Sequence, residues 1–251
     1  MKMNRTTQRT VEILKLVSKN PEGVSLDEIC GQLELPKTSC YDIITTLAAM
    51  GMVNVAPGQK QKYTIGLQAY RIGMNYTNNL NFISVIEPEL RAFARETGRT
   101  VFFGMQADHE VVYITKAEPE NPIITTATVG SKNPMYCTSL GKAILANLEP
   151  ADQELLISRM HFKPRTANTI LSGDALKAEL EKVQIRGYAM DFREVEEHMV
   201  CVGAPVFDRD AKVLGAISVS SLYRRDEDYE ALGELTKQQA QKLSRLLGYI
   251  S

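Results

Sequence analysis

The sequence predicts an α+β protein in two parts, a small helical head followed by a larger domain with a central antiparallel sheet. Two observations lead to this prediction. Apolar residues recur at helical spacing through the first fifty residues, and a short hairpin pattern follows them. Beyond residue 80, apolar runs of strand length are mixed with helical segments. We expect domains over residues 1–66 and 81–251, joined by a linker helix over residues 67–80.

The head is predicted to contain three helices. The first spans residues 7–20, and the second runs from the capping box at Ser25 and Glu28 to about Leu33. The third follows Pro36 and ends before Gly51, which suits the left-handed residue after a helix. One face of the third helix is apolar at helical spacing: Cys40, Ile43, Ile44 and Leu47.

The opposite face of the third helix is polar, and a hairpin over residues 53–65 follows with lysines near its tip. A short helix, a turn, a polar helix and a basic hairpin together indicate a winged helix-turn-helix that binds double-stranded DNA. A three-helix module for protein interaction is the alternative. The predicted DNA-binding residues are Lys37, Thr38, Ser39, Tyr41, Asp42, Thr45, Lys60 and Lys62.

Charge is distributed unevenly along the chain. Residues 1–75 carry nine Lys and Arg against six Asp and Glu, a net charge of +3, whereas the remainder carries −4. A basic head on an acidic body fits a nucleic-acid module joined to another domain.

The larger domain is expected to begin with a helix that has Pro88 in its first turn and ends at Gly98. Strands are predicted over residues 101–105, 111–115, 123–128 and 188–191, with a hairpin of 200–207 and 213–220. Helices are predicted over residues 139–148, from Pro150, over 174–186 and over 226–248. We expect the strands to meet the helices on one side of the sheet.

The strands near the end of the chain place small polar groups together. Alternation puts Ser218 and Ser220 on one face of their strand, with Ile217 and Val219 on the other. Cys201 shares a face of the partner strand with small residues, and Asp191 closes the strand before it. If these faces converge, they line a small cavity with a few polar groups, which is typical of a small-molecule site.

Cys201 also permits another interpretation, a nucleophilic thiol with His198 as its base. The odd spacing of the two residues would direct the histidine to the opposite face of a strand, and a buried, unreactive thiol is the simpler reading. Asp191 is either a structural cap or a group that meets an acidic ligand while protonated or bonded to a ligand hydroxyl.

Several classes of protein are excluded by what the sequence lacks. No apolar run reaches the length of a membrane helix, and the N-terminus has no apolar core of a secretory signal. The four cysteines form no CxxC pair, which favours reduced thiols in the cytoplasm. No two histidines lie four residues apart, so we expect no metal site and no cofactor.

The chain resembles the isocitrate-lyase-regulator (IclR) type of bacterial transcription factor over essentially its whole length. In the head the resemblance rests on LPKTSCYDIITTLAAMGMV followed by KYTIG. In the larger domain it rests on PMYCTSLGKAILA and GYAMDFREVEEHMVCVGAPVFDRDAKVLGAISVS. These motifs are specific in their order and spacing.

The resemblance implies a GAF-like domain that binds a small carboxylate effector, such as an oxo acid, a sugar acid or an aromatic acid. It also implies homodimers, or dimers of dimers, on operator DNA, and a role as repressor. Backbone amides at Ser139 and Leu140 would meet the effector's carboxylate, as a helix N-terminus favours. The remaining ligand-binding residues that it implies are Asp191, Cys201, Ser218 and Ser220.

Two positions depart from the family pattern. Asp42 stands in the recognition helix where the family usually has Arg, and a carboxylate there can accept from a cytosine amine or pair with a cation. Leu140 replaces the small residue of some members and narrows the expected pocket. Two other hypotheses remain open at this point: a thiol-dependent enzyme built on Cys201 and a DNA-tethered dimerisation scaffold.

Overall fold

The structure is a computed structural model that describes residues 3–56, 62–79, 82–122 and 125–250. The chain divides into two compact units, Met1–Asn81 and Phe82–Ser251. Each unit buries its own apolar residues.

The first unit is a three-helix cluster with a small antiparallel sheet in the strand order β1-β3-β2. The predicted helices and hairpin are confirmed, and β1 is an additional short strand. Its elements are α1 (Arg5–Ser18), β1 (Val24–Ser25), α2 (Leu26–Leu33), α3 (Lys37–Ala49), β2 (Val53–Ala56), β3 (Lys62–Ile65) and α4 (Leu67–Asn79).

Local sequence signals set the ends of the helices in this unit. Ser25 Oγ accepts from the Glu28 N–H at 3.4 Å, and a Glu28 carboxylate oxygen accepts from the Ser25 N–H at 2.7 Å, which is the predicted capping box. Gly51 has a φ of +69° just beyond α3, a conformation that costs other residues more than glycine. The predicted apolar stripe of α3 is buried in the core.

The second unit is built on one antiparallel six-stranded sheet in the order β6-β5-β4-β9-β8-β7. Its strands are β4 (Thr100–Ala107), β5 (Glu110–Ala117), β6 (Lys132–Pro134), β7 (Ala189–Phe192), β8 (Met199–Phe207) and β9 (Val213–Leu222). Its helices are α5 (Ile83–Thr97), α6 (Ser139–Leu145), α7 (Pro150–Ser158), α8 (Gly173–Arg186) and α9 (Tyr229–Leu246). The predicted α+β fold class with a central antiparallel sheet is confirmed.

Helices cover both faces of this sheet, so the prediction of helices on one side is wrong. One face packs on α5 and α9 through residues such as Val202, Ile217 and Val219. The other packs on α6, α7 and α8 through residues such as Phe102 and Ala216. The central strands β4, β8 and β9 are buried on both faces, as expected of strands that are covered by helices on two sides.

Several boundaries in the second unit differ from the prediction, and those of α5 and α6 are examples. Helix α5 starts at Ile83, five residues before Pro88, because its apolar face continues upstream from Leu90 to Ile86. Pro88 therefore lies inside the helix, where it removes one backbone hydrogen bond. Helix α6 ends at Leu145 instead of Leu148.

The strand predicted over residues 123–128 is wrong for its described part. Ile123 and Ile124 lie outside the described residues, and residues 125–128 form neither strand nor helix. The sheet instead gains β6 at residues 132–134, which pairs with β5.

Candidate functional site

A cavity lies between the start of α6 and the sheet face that packs on α6. Its empty volume is about 500 Å³, part of which is open to solvent. All six residues that were predicted to bind a ligand line this cavity: Ser139, Leu140, Asp191, Cys201, Ser218 and Ser220. The structure therefore brings together side chains that lie up to 81 positions apart.

The sheet face at the cavity carries polar residues in register across four strands, of which those on β7, β8 and β9 line the cavity. Asp191 on β7 pairs with Cys201 on β8, which pairs with Ser220 on β9, which pairs with Thr100 on β4. Residues paired in register point to the same face of a sheet, so this series forms a row of polar groups. We call Asp191, Cys201, Ser220 and Thr100 the polar row.

The adjacent row has small residues on three strands, and this part of the row admits α6: Ala189 on β7, Gly203 on β8 and Ser218 on β9. Gly203 pairs with Ser218, and a Cβ added at Gly203 would lie 2.9 Å from the carbonyl carbon of Ser139. Glycine is therefore required for the first turn of α6 to approach the sheet this closely. Any larger residue at 203 would push Ser139 and Leu140 away from the cavity.

Thr138 is the N-cap of α6. Its side chain accepts from the Gly141 N–H at 3.1 Å and donates to the carbonyl of Pro134 at 3.0 Å. Within the described residues, the N–H groups of Ser139 and Leu140 have no hydrogen-bond partner, as is usual for the first turn of a helix. They remain available to a ligand in the cavity.

Asp191 is buried, and one of its oxygens is already engaged. Oδ1 accepts from the Glu194 N–H at 2.7 Å and from the Val195 N–H at 3.3 Å. Burial raises the pKa of Asp191 to about 7, although these two amides and the ammonium of Lys142 act in the opposite direction. Oδ2 accepts from no described residue, and Asp191 lines the cavity.

The loop after β7 is held by a buried ion pair. Lys142 of α6 binds Glu194, and the side chains are only 1% and 8% exposed. Glu194 Oε2 is buried with no partner among the described residues, and burial raises the pKa of this carboxyl. Thr169 and Thr166 donate to the backbone carbonyls of the same loop, at 2.7 Å to Glu194 and at 2.6 Å to Arg193.

Cys201 has the surroundings of an unreactive thiol. Its Sγ donates to Ser220 Oγ at 3.3 Å, and burial raises the pKa of the thiol above its usual range. His198 lies before β8, with its imidazole 73% exposed and 3.6 Å from Glu196. His198 is therefore not placed to act as the base that would generate the thiolate for nucleophilic catalysis.

Sequence reasoning missed part of the cavity wall. Phe102 on β4 faces the cavity because it pairs with Ser218, and only the pairing of strands 116 positions apart in sequence reveals this. Thr126 hydrogen-bonds Glu196 where two loops meet at the cavity. The lining residues that were not predicted are Phe102, Tyr113, Thr125, Thr126, Ala127, Asn133, Thr138, Val195, Glu196 and Met199.

The predicted DNA-binding residues that the structure describes lie on one helix and one strand of the first unit. Lys37, Thr38, Tyr41 and Asp42 are exposed on α3, while Ser39 and Thr45 are partly buried there. Lys62 is exposed on β3, and Lys60 lies outside the described residues.

Three contacts modify this polar face of α3. Lys37 pairs with Asp27 at 2.7 Å, so its charge is partly neutralised in the free protein. Arg9 of α1 donates to Ser39 Oγ at 3.2 Å, which adds a cation that sequence reasoning did not assign. The Thr45 hydroxyl donates to the Tyr41 carbonyl at 2.7 Å instead of pointing freely outward.

The described part of the chain also bears on two other classes of site. Within residues 3–56, 62–79, 82–122 and 125–250, no helix has the length and apolarity needed to cross a membrane. Across the same ranges, no three His, Cys, Asp or Glu side chains are grouped to hold a metal ion.

Comparison with protein families adds evidence over both units. The model of the IclR helix-turn-helix domain matches residues 6–57, and that of the bacterial transcriptional regulator IclR C-terminal matches residues 74–245. Among curated proteins, the transcriptional repressor IclR of Escherichia coli K12 is 29% identical over 88% of this chain and 81% of its own length.

Solved structures share the fold over nearly the whole chain. The crystal structure of Thermotoga maritima IclR is 31% identical with a TM-score of 0.76, covering 97% of this chain and 99% of that one. An IclR homologue from Microbacterium hydrocarbonoxydans, crystallised with 4-hydroxybenzoate, has a TM-score of 0.83 and covers 96% of this chain and 98% of its own. At 16% identity, the second likeness concerns the fold alone.

Proposed function

Because the chain belongs to the IclR family of bacterial transcriptional regulators, we propose that it is a cytoplasmic repressor that releases its operator on binding a small carboxylate. Proteins of this family are DNA-binding regulators with a C-terminal effector-binding domain, and they are not enzymes. The name of the Escherichia coli relative supports repression as the sign of regulation.

The observation that carries the effector proposal is the convergence of six predicted residues on one cavity. The effector's carboxylate would meet the amides of Ser139 and Leu140 and the hydroxyl of Ser218. A hydroxyl or oxo group of the effector would meet Ser220 and Asp191 Oδ2. Oxo acids, sugar acids and aromatic acids all fit this description, and 4-hydroxybenzoate, with which the Microbacterium homologue of the same fold was crystallised, is one aromatic acid to test.

The head would read the operator through α3. Thr38, Tyr41 and Asp42 are exposed at its leading half and can reach base edges, while Lys37 and Lys62 would bind phosphates. A DNA phosphate would take Lys37 from Asp27, whose ion pair with it is exposed to solvent.

A homodimer, alone or as half of a dimer of dimers, would present two heads to a pseudo-palindromic site. Helix α4 supports this proposal, since Leu67 and Tyr70 lie one turn apart and are 69% and 61% exposed. Large apolar side chains on one face of a helix are typical of a contact with another helix. Effector binding would then shift a population between two arrangements of the heads, a coupling of about 1–3 kcal/mol.

A thermal-shift experiment tests the effector proposal on the full-length protein. We expect pyruvate, gluconate or 4-hydroxybenzoate to raise the melting temperature of the wild type and not that of the Ser218→Ala/Ser220→Ala variant. A ligand at 100 times its Kd stabilises by about 2.7 kcal/mol. The matched control is Ser221→Ala, because this buried serine lies on the opposite face of β9 and should keep the full shift.

Selection from random duplex DNA tests the operator proposal. The wild type should enrich a two-fold symmetric site, and the acid that shifts its melting temperature should release it from that site. Equal shifts in wild type and double variant would contradict the cavity. Enrichment of no sequence would contradict the DNA-binding assignment of α3.

A further inference from the structure

The cavity presents an electrostatic problem to an anionic effector. Its lining includes two acidic residues, Asp191 and Glu196, and among the described lining residues there is no Lys, Arg or His. An anionic oxygen that enters must therefore be met by neutral donors, namely amides and hydroxyls. A hydrogen bond from a neutral donor to a charged group is still among the stronger ones in proteins.

Tyr113 is a neutral donor on this wall. It lies on β5 with only 7% of its surface exposed, and its ring packs edge-on against Phe102 at 5.1 Å between centroids. Its hydroxyl oxygen accepts from Asn133 Nδ2 at 3.2 Å. Burial also raises the pKa of the phenol, so the group keeps its proton at neutral pH.

The orientation of Asn133 decides where that proton points. Arg165 Nη1 donates to Asn133 Oδ1 at 3.3 Å, and a guanidinium can only donate. A flipped amide would place its NH₂ group against the guanidinium, so Oδ1 must face Arg165 and Nδ2 must face Tyr113. The hydroxyl oxygen of Tyr113 is thereby used as an acceptor, and its own proton remains for the cavity.

We propose that Tyr113 is a specificity-determining residue that donates its hydroxyl proton to the anionic group of the effector, and that Arg165 positions it through Asn133. The assignment rests on the proposed effector function and deepens it. The exposed guanidinium of Arg165 lies outside the cavity lining, so it does not contact the effector itself. It fixes the orientation of Asn133, and the neutral hydroxyl of Tyr113 then donates toward the effector.

The first test compares wild type with Tyr113→Phe by isothermal titration calorimetry, using pyruvate, gluconate and 4-hydroxybenzoate as probes. The phenylalanine keeps the ring contact with Phe102 and loses only the donor. We expect the affinity for the carboxylate that binds wild type to fall about 10- to 100-fold, as for a hydrogen bond to a charged group.

Tyr136→Phe is the matched control. Tyr136 belongs to the same buried apolar cluster as Tyr113 and Phe102 and is 3% exposed. Its hydroxyl donates to the Lys163 carbonyl at 2.9 Å, and the residue does not line the cavity. This variant should lose stability and keep the wild-type affinity. Equal losses of affinity in both variants would reduce the role of Tyr113 to packing and overturn the assignment.

The second test concerns the relay. Arg165 is exposed, so Arg165→Ala should fold normally, while Asn133 becomes free to flip and to accept the proton of Tyr113. We expect a loss of affinity of about 3- to 10-fold in the wild-type background, part of it from weaker polarisation along the chain of bonds. Arg165→Lys should restore part of it, and Arg165→Ala should cost nothing further in the Tyr113→Phe background.

The outcomes separate the two proposals. A carboxylate that binds wild type and Tyr113→Phe equally would overturn the role of Tyr113 and leave the effector function standing. Additive losses in the double variant would overturn the relay through Asn133. If none of the three acids binds wild type, the proposed effector class fails, and the assignment of Tyr113 fails with it.

Discussion

The two polar surfaces of this protein are built in opposite ways. On α3 the polar side chains are exposed, as Tyr41 is at 54%, and their contacts are local, such as the bond from Thr45 to the Tyr41 carbonyl. At the cavity several polar groups are buried, as Asp191 is at 4% exposed, and contacts between segments distant in sequence hold the wall, such as the bond from Thr126 to Glu196. Lys142 and Glu194 are 52 positions apart.

Because of this difference, a substitution on α3 can change function without changing stability, whereas a substitution at the cavity changes both. An exposed polar side chain can be replaced at little cost to folding, so a variant on α3 reports DNA binding alone. A buried polar group is stabilised only by its partners, so a variant at the cavity changes both folding and binding. Substitutions of the most buried groups are therefore expected to have the largest effects on stability, and substitutions on α3 the smallest.

Removing the buried ammonium of Lys142 is expected to have the largest effect on stability. Lys142→Met fills the same space but leaves Glu194 charged, buried and without its partner. Breaking a buried ion pair from one side costs about 3–5 kcal/mol. Urea denaturation followed by circular dichroism should show this loss.

Lys177→Met is the matched control for this prediction. Lys177 pairs with Glu154 at 2.6 Å, but the two side chains are 38% and 63% exposed. Water solvates both charges in this pair, so the variant should unfold at the wild-type urea concentration. Similar midpoints for the two variants would mean that burial does not distinguish the pairs.

The next prediction concerns Asp191 and pH. Its pKa is about 7 in the folded protein, against about 3.9 in an unfolded chain. Between these values the folded state holds a proton that the unfolded state releases, so the contribution of Asp191 to stability falls as pH rises from about 4 to 7 and is constant above. Asp191→Asn removes this contribution while its Oδ1 still accepts from the loop amides.

The measurement is the difference in unfolding free energy between wild type and Asp191→Asn across this range of pH. The free energy of unfolding of Asp191→Asn should increase relative to that of wild type as pH rises. The total increase should be no more than about 4 kcal/mol, at 1.36 kcal/mol per pKa unit. A difference that does not change with pH would show that Asp191 stays ionised in the folded protein.

The contrast between local contacts on α3 and distant contacts at the cavity also explains how much of the structure the sequence could predict. The face of α3 follows from helical spacing within one segment, and Ser218 and Ser220 follow from alternation within one strand. Asp191 and Cys201 were identified by a family resemblance as well as by alternation. Every one of these inferences uses residues close in sequence or a motif of fixed spacing.

The remaining features depend on contacts between distant segments. Phe102 and Tyr113 line the cavity because β4 pairs with β9 and β5, and no local pattern specifies that pairing. The helices on both sides of the sheet were missed for the same reason. The early start of α5 was missed because Pro88 was taken as a helix start, although Ile86 continues the apolar face.

On the exposed surface, Asp42 should affect sequence preference without affecting stability. The side chain is exposed on α3, so Asp42→Ala should change the free energy of unfolding by less than about 0.5 kcal/mol. If its carboxylate accepts from a cytosine amine, the variant loses discrimination of about 1–3 kcal/mol at one base pair of each half-site. Selection from random duplexes should show that single position relaxed, and an unchanged preference would place Asp42 away from the bases.

The smallest expected effect belongs to Lys37. Lys37 lies at the start of α3 and forms an ion pair with Asp27 in the free protein. The free energy that it gains on binding a phosphate is therefore partly offset by the loss of this ion pair. Lys37→Ala should weaken binding to all duplexes about equally and reduce the slope of log affinity against log salt by about 1 per head.

Lys182→Ala removes the same charge from α8 in the second unit and should leave the salt slope unchanged. Asp27→Ala sharpens the comparison further, because it frees Lys37 without adding a charge. We expect this variant to bind random duplexes more tightly than wild type. In the Lys37→Ala background, the same Asp27→Ala substitution should give no gain in affinity. A gain that persists without Lys37 would mean that Asp27 repels the DNA directly and that the ion pair has no part in the effect.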